Sequence, residues 1–255
     1  MEQTFDAFVV TQDGTVTLHH PEYDEAFHSV QGARFEADSL YMQASGFRER
    51  MNRETKVSTC AVLDVGLGLG YNALMSIECW MQGLGSGELD LVSLEKTPEL
   101  VLSLSDPACG WKEGWSEDWR LWSARLKKEE HSSIWRAEFV HPKSGRSLRW
   151  LVSVGDARQS DLSPFAFDFV WQDAFSPRKN GELWSVEWFQ KLREASRPEV
   201  QLVSYSVARI VRDHLEAAGW QPLRVKTSTS KQATITGKKQ WLLARLLDQK
   251  SLSTI

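Results

Sequence analysis

Apolar and polar positions recur along this chain with two periods, and the places where one period gives way to the other mark its elements. Short apolar runs bounded by turn residues read as buried strands, and apolar residues spaced three and four apart read as helices. FVVTQDGTVTL, at 8–18, is two alternating runs about an Asp-Gly turn and predicts a hairpin. Residues 33–50 carry a helical pattern, after which 60–65 is a core strand feeding a helix from about Tyr71. LDLVSLEK at 89–96 is the next strand, with a helix from about Pro98. A helical pattern covers 111–130, and strands at 135–141 and 147–157 flank the turn PKSGR. FDFVWQDAF at 167–175 is another buried strand, followed by a helix at 182–196, a strand at 201–207, a helix at 208–218 and two closing strands at 221–227 and 239–246. The alternation predicts an α/β fold built on a mostly parallel, doubly wound sheet, with C-terminal antiparallel strands and an N-terminal hairpin extension. The expected division is an extension over 1–58 and the main unit over 59–255, together one compact body.

Composition narrows the classes. With 255 residues, 42% of them hydrophobic, the chain can bury one sizeable core. No apolar run approaches the roughly 18 residues needed to span a bilayer, and the acidic start MEQTFDAF lacks the pattern of a signal peptide. Cys60, Cys79 and Cys109 are scattered without metal-ligand spacing, as are the six histidines, so no metal site is expected and free thiols point to a reducing, cytoplasmic setting. A net charge of -4 argues against a uniformly positive nucleic-acid coat but leaves room for local patches. Trp111, Trp115, Trp119 and Trp122 recur at helical spacing on one face, which predicts core packing.

The chemistry starts at VLDVGLGLGYN, residues 62–72: a buried strand, Asp64, then glycines at 66, 68 and 70, then Asn72 opening a helix. A dinucleotide fingerprint has the spacing G-x-G-x-x-G and holds a pyrophosphate, which a carboxylate two residues ahead of the first glycine would repel. An acid there suits a ligand bearing an ammonium group. The D-x-G-x-G-x-G pattern resembles the first motif of the Rossmann-like (class I) methyltransferases, whose cofactor is S-adenosylmethionine. Ligands of doubly wound sheets bind outside the carboxyl ends of the strands, so acids at those ends share a site whatever their separation in sequence. Glu95 is then expected at the ribose hydroxyls, Asp156 and Ala157 at the adenine, and Asp64, Gly66, Gly68 and Asn72 near the methionine portion. Asp173 ends the following strand.

VLDVGLGLGYNAL, the LEK at 94–96, GDA at 155–157 and QDAFSPRKNGELW at 172–184 resemble the family that methylates 5-aminomethyluridine at the wobble position of tRNA, the MnmC-type methyltransferases. The family signature is matched at Asp173, Phe175, Pro177, Lys179, Asn180 and Trp184, with Gly181 where proline is usual. SYSVARIVRDHLEAAGW at 204–220 continues the likeness, which extends over nearly the whole chain. It implies an enzyme that uses S-adenosylmethionine to methylate the exocyclic amine of 5-aminomethyl(-2-thio)uridine, with tRNA bound through its anticodon loop and a separate oxidoreductase or the wobble-uridine aminomethylation enzymes as functional neighbours. A primary alkylamine is largely protonated near neutral pH and attacks only when its lone pair is free, so Asp173 is the expected catalytic group. Phe175 is expected to face the sulfonium, a cation–π contact worth roughly 0.5–2 kcal/mol.

The acid-free stretch from Gln221 to Arg245 contains Lys226, Lys231, Lys238 and Lys239, and Arg178 with Lys179 follows the Asp173 segment. These are the expected phosphate contacts. In place of the glycine-rich basic stretch common in the family, this chain has KTSTSKQATITGKK. Competing readings are a spermidine-synthase-like aminopropyltransferase, which shares the fold and an amine acceptor, a small-molecule amine N-methyltransferase, and a nicotinamide-dependent oxidoreductase, which Asp64 and the glycine spacing disfavour.

Overall fold

The computed structural model describes residues 8–53, 59–85, 87–226 and 240–246. The chain opens with a small antiparallel sheet of β1 (Phe8–Val10), β2 (Val16–His20) and β3 (Glu25–Ala26). The expected hairpin is present, with Val10 opposite Val16. Asp13, in its turn, accepts hydrogen bonds from Thr15 N at 3.0 Å and from Phe35 N at 2.9 Å, which ties the hairpin to the start of the following helix. That helix, α1 (Ala33–Glu36), continues as a π-helical turn over Ala37–Ala44, and after a break at Gly46 comes α2 (Phe47–Asn52).

Then β4 (Cys60–Val65), α3 (Tyr71–Gln82), β5 (Leu89–Glu95) and α4 (Pro98–Ser105) follow as the apolar periods predict. The stretch read as one helix over 111–130 is not one: a 3-10 turn at Gly110–Lys112 is separated from α5 (Glu117–Ser123), and β6 (Lys127–Lys128) is a short strand. Gly114 takes a left-handed conformation at φ +83°, and Ser116 starts α5 as an N-cap by accepting from Trp119 N at 3.3 Å. Trp111, Trp115 and Trp119 are nevertheless all buried. The chain continues through β7 (Ile134–Val140), β8 (Ser147–Val154), β9 (Phe167–Gln172), α6 (Val186–Glu194), β10 (Ser196–Ser204), α7 (Arg209–Ala217), β11 (Trp220–Lys226) and β12 (Gln240–Leu246).

Nine strands form the main sheet in the order β11-β12-β10-β9-β4-β5-β8-β7-β6. The five from β10 to β8 are mutually parallel, while β11, β12, β7 and β6 join antiparallel at the edges. Every residue of β4 is buried, as expected for a central strand covered on both faces, whereas β7, near an edge, alternates buried and exposed. One layer packs α3 and the extension, through Leu18, Tyr41 and Phe47, against Trp150 and Trp171. The other packs α6 and α7, through Trp188, Phe189 and Leu215, against Val170 and Leu202. Because β5 lies on one side of β4 and β9 on the other, the strand order reverses at β4, and a crevice opens there at the carboxyl ends. Among the described residues, no helix is long and apolar enough to cross a membrane.

Candidate active site

A cavity of about 530 Å³ fills that crevice, a size typical of small-molecule sites. The loop after β4, the ends of β5 and β8, the segment after β9 and Tyr205 after β10 form its floor, and residues of the N-terminal extension from His20 to Tyr41 close over it. Gly66 sits at φ +89°, and a Cβ there would lie 2.8 Å from the Asp173 carbonyl oxygen. At Gly68, φ +52°, a Cβ would lie 3.1 Å from the Phe27 ring. These two glycines therefore let the β4 loop press against the β9 loop and the extension while its backbone faces the cavity.

The strand-end acids occupy different environments. Glu95 is buried and clamps the floor: Oε2 accepts from Gly68 N and Oε1 from Thr97 N, both at 2.8 Å. Burial pushes its pKa up, and those amide hydrogen bonds oppose the rise. Glu95 lines the cavity. Asp156 also lines the cavity, but its carboxylate already accepts from Arg158 N at 3.0 Å and Arg158 Nη2 at 2.6 Å, so it caps the short turn at Ala157–Gln159 and carries an ion pair. Hydrogen bonding from Arg158 accordingly holds it below the usual carboxylate range. Ala157 lies beside it in the wall.

Asp64 differs from the sequence expectation: it is fully buried and is not among the lining residues. Its Oδ2 accepts from Ser93 Oγ at 3.0 Å, and Ser93 Oγ in turn accepts from Trp150 Nε1 at 3.1 Å. Oδ1 lies beside the Asn72 amide without a well-formed hydrogen bond. Burial, with the nearby charges of Asp173 and Glu95, pushes Asp64 well above the usual value. The residue thus stands behind the loop that Gly66 and Asn72 present to the cavity.

Asp173 is held at the wall from several sides. Its amide donates to Val65 O at 3.0 Å, and its Oδ2 accepts from Asn72 Nδ2 at 2.7 Å. The next residues are pinned in turn: Tyr205 Oη donates to Ala174 O at 2.9 Å, Trp184 Nε1 to Phe175 O at 2.8 Å, and Ser176 N to Glu25 Oε2 at 3.1 Å. Buried Gln172 braces the segment from below, donating to Leu183 O at 2.8 Å and accepting from Trp188 Nε1 at 2.9 Å. The Tyr41 hydroxyl faces Asp173, and burial followed by that carboxylate's charge pushes its pKa well up.

Phe175 is built into an aromatic group with the extension. It stacks on Tyr23 at 4.4 Å between ring centres and meets His20 at 5.2 Å and Phe27 at 5.1 Å. Burial pushes the His20 pKa down, which favours the neutral ring. Sequence reasoning missed His20, Tyr23, Glu25, Phe27, Glu36, Tyr41 and Tyr205. The family resemblance ran through the early DGTVTLHHPEYDEAFHS, but no spacing there showed that it folds over the strand ends.

Of the expected phosphate contacts, Arg178 and Lys179 are exposed between Ser176 and Asn180, which both line the cavity. Lys179 Nζ lies 3.8 Å from Asp24. Lys226 is exposed at the end of β11, while Lys231, Lys238 and Lys239 lie outside the described residues.

Residues 123–240 match a family described as S-adenosyl-L-methionine-dependent methyltransferase. Over 92% of its length the chain is 29% identical to the tRNA 5-methylaminomethyl-2-thiouridine biosynthesis bifunctional protein MnmC of Azoarcus sp. (strain BH72). Over 96% it is 27% identical to the protein of the same name from Burkholderia mallei (strain NCTC 10229). It covers 35% and 38% of them, so the chain spans little more than a third of the length of the curated relatives it matches. The crystal structure of MNMC2 from Aquifex aeolicus superposes with a TM-score of 0.69 over 99% of this chain and 76% of that one, at 24% identity, and has the same fold.

Proposed function

We propose that this chain is an S-adenosylmethionine-dependent methyltransferase that methylates the exocyclic amine of 5-aminomethyluridine, with or without a 2-thio group, at the wobble position of tRNA, a reading supported by its likeness to the methyltransferase family model and to the MnmC proteins. The observation that carries this reading is Asp173: a carboxylate fixed by Asn72 on the wall of a cavity whose lining holds six carboxylates and two cations, Lys96 and Arg158. Such a lining suits a sulfonium cofactor and an ammonium acceptor.

S-adenosylmethionine supplies, when bound, a methyl group made electrophilic by the sulfonium. Glu95 would accept the ribose hydroxyls with the lone pairs left by Gly68 N and Thr97 N, and Ala157 with Asp156 would border the adenine. Gly66, Gly68 and Asn72 would face the methionine portion, with Asp64 bracing the strand end behind them through its hydrogen bond from Ser93. Phe175 would offer a ring face to the positive sulfur. Asp173 would accept a hydrogen bond from the acceptor nitrogen, aim its lone pair, and take or relay the proton that leaves as the new N–C bond forms and the C–S bond breaks.

The tRNA would meet the mouth through Arg178, Lys179 and Lys226, with Lys231, Lys238 and Lys239 following, and its uridine would be splayed into the cavity. The amine itself would be supplied in the cytoplasm by wobble-uridine aminomethylation enzymes or a separate oxidoreductase. The direct test incubates the protein with methyl-labelled cofactor and tRNA bearing 5-aminomethyluridine, then analyses the nucleosides. One added methyl on the side-chain nitrogen is expected, with no label on the same tRNA bearing unmodified uridine. Absence of label from the aminomethylated tRNA would sink the proposal.

A further inference from the structure

Gly68 is where the β4 loop, the end of β5 and the N-terminal extension meet. Its amide donates to Glu95 Oε2 at 2.8 Å, and a Cβ placed on it would lie 3.1 Å from the Phe27 ring. Phe27 arrives directly after β3, and its place is fixed from two sides. Its own amide donates to Leu18 O of β2 at 3.0 Å, and β3 is drawn onto the loop after β9 by Ser176 N, which donates to Glu25 Oε2 at 3.1 Å. The Phe27 ring then lies 5.1 Å between centres from that of Phe175, with the two planes tilted by 60°, so the pair is not stacked face to face. Both rings are half-buried, and both line the cavity along with Gly68.

The connectivity of the cofactor gives this junction a meaning. In S-adenosylmethionine the sulfur joins the ribose to the methionine chain and carries the methyl group. With the ribose at Glu95 and the methionine portion at Gly66, Gly68 and Asn72, the sulfur falls beside Gly68, the residue that Glu95 holds and on which Phe27 presses. The face of an aromatic ring carries the negative lobe of its quadrupole, and a cation within about 6 Å of the ring centre is attracted to it.

We infer that Phe27 is a second aromatic wall for the sulfonium beside Phe175, and that through it the N-terminal extension distinguishes the charged cofactor from its neutral product, S-adenosylhomocysteine. This rests on the S-adenosylmethionine reading above and adds a specificity-determining residue to it. When the methyl group leaves, the electron pair of the C–S bond stays on sulfur, the thioether is neutral, and the attraction to the rings is lost. The Phe27 ring therefore holds the cofactor before transfer and loses its grip on the product afterwards. An apolar wall with no preference for charge would hold the two molecules nearly alike, because they differ in apolar surface by a single methyl group.

The test reads binding alone, by calorimetry with S-adenosylmethionine and with S-adenosylhomocysteine, and needs neither RNA nor turnover. In Phe27→Leu, which keeps an apolar wall without a ring, the ratio of the S-adenosylmethionine to the S-adenosylhomocysteine dissociation constant should rise over the parent's by about twofold to thirtyfold, the range of one cation–π contact. Replacing Phe27 with a ring-fluorinated phenylalanine, which keeps the shape and drains negative charge from the ring face, should move the ratio in the same direction. A fluorinated protein with the parent's ratio overturns the inference, as does a Phe27→Leu protein that binds both ligands more weakly by the same factor; either result leaves the methylation reading standing. Should Phe27→Leu bind neither ligand, the fluorinated protein decides alone. If the parent protein binds neither, the cofactor reading falls and takes this inference with it.

Discussion

Glu95 and Asp173 are both carboxylates at strand ends, yet their surroundings give them different work. Glu95 is held from the protein side by two backbone amides, so removing it also loosens the Gly68 loop. Glu95→Ala should weaken S-adenosylmethionine binding by the value of a charge-assisted hydrogen bond, roughly 1.5–3 kcal/mol. Unchanged affinity by calorimetry would remove Glu95 from the cofactor site. Asp173 accepts from the Asn72 side chain, has the Tyr41 phenol opposite, and lines the cavity. Asp173→Ala should slow methyl transfer in single turnover by a factor on the order of 10²–10⁴, with a smaller change in cofactor affinity. Transfer at the parental rate would make Asp173 structural. The strand-end acids were legible because parallel strands bring their carboxyl ends together whatever the loops between them do. Which of them faces the cavity was not: Asp64 is turned to Ser93, and Asp156 is occupied by a neighbour two residues on, contacts that strand periodicity does not carry.

Among the elements, the mainly apolar runs of β4, β5 and β9 were legible because strands covered on both faces show no regular polar alternation. The tryptophan stretch misled for a physical reason. Spacings of four residues mimic a helix, yet Trp111 is buried from a 3-10 turn, Trp115 from a loop and Trp119 from α5, with Trp115 and Trp119 both packed on Tyr71. Lys112 is the pin of this region. It is buried, and its Nζ donates to Leu104 O at 2.5 Å, Asp106 O at 2.8 Å and Ser123 Oγ at 2.9 Å, tying the end of α4 to α5. Three acceptors match the three donors of an ammonium, which places the charge at a helix C-terminus where it is favoured. Lys112→Met should destabilise by at least about 2 kcal/mol, since each buried acceptor left unpaired costs about 1–3 kcal/mol. Urea unfolding measures this, and a stability equal to the parent's would show that water replaces the lysine. Burial pushes the Lys112 pKa down from 10.5 to about 8. The folded chain therefore releases this proton before the unfolded chain does. Relative to Lys112→Met, the parent should gain stability as pH rises from about 8 to 10.5 and show no such gain below that window.

At the scale of the molecule, the proposed tRNA substrate would have to meet a chain of net charge -4 through a local surface. The sheet's connectivity supplies one. β12 runs antiparallel to both β10 and β11, with Leu242 opposite Ser204 on one side and Arg224 on the other, so β11 runs parallel to β10. Arg224 and Lys226 thus lie at the carboxyl end of the sheet, the end where the cavity opens, with Arg178 and Lys179 at its mouth. Lys179 shares its charge with Asp24, 3.8 Å away, which leaves Arg178 the stronger contact of the two. Each phosphate contact removed should flatten the logarithmic salt dependence of tRNA affinity by roughly 0.7–0.9 without changing which base is methylated. Arg178→Glu with Lys179→Glu should therefore weaken binding most at low salt and leave base choice intact. Few contacts also imply a shallow slope for the parent and a compact footprint, so an isolated anticodon stem–loop should be a workable substrate. Methylation restricted to full-length tRNA, or full affinity of the double variant at low salt, would move the binding surface elsewhere on the molecule.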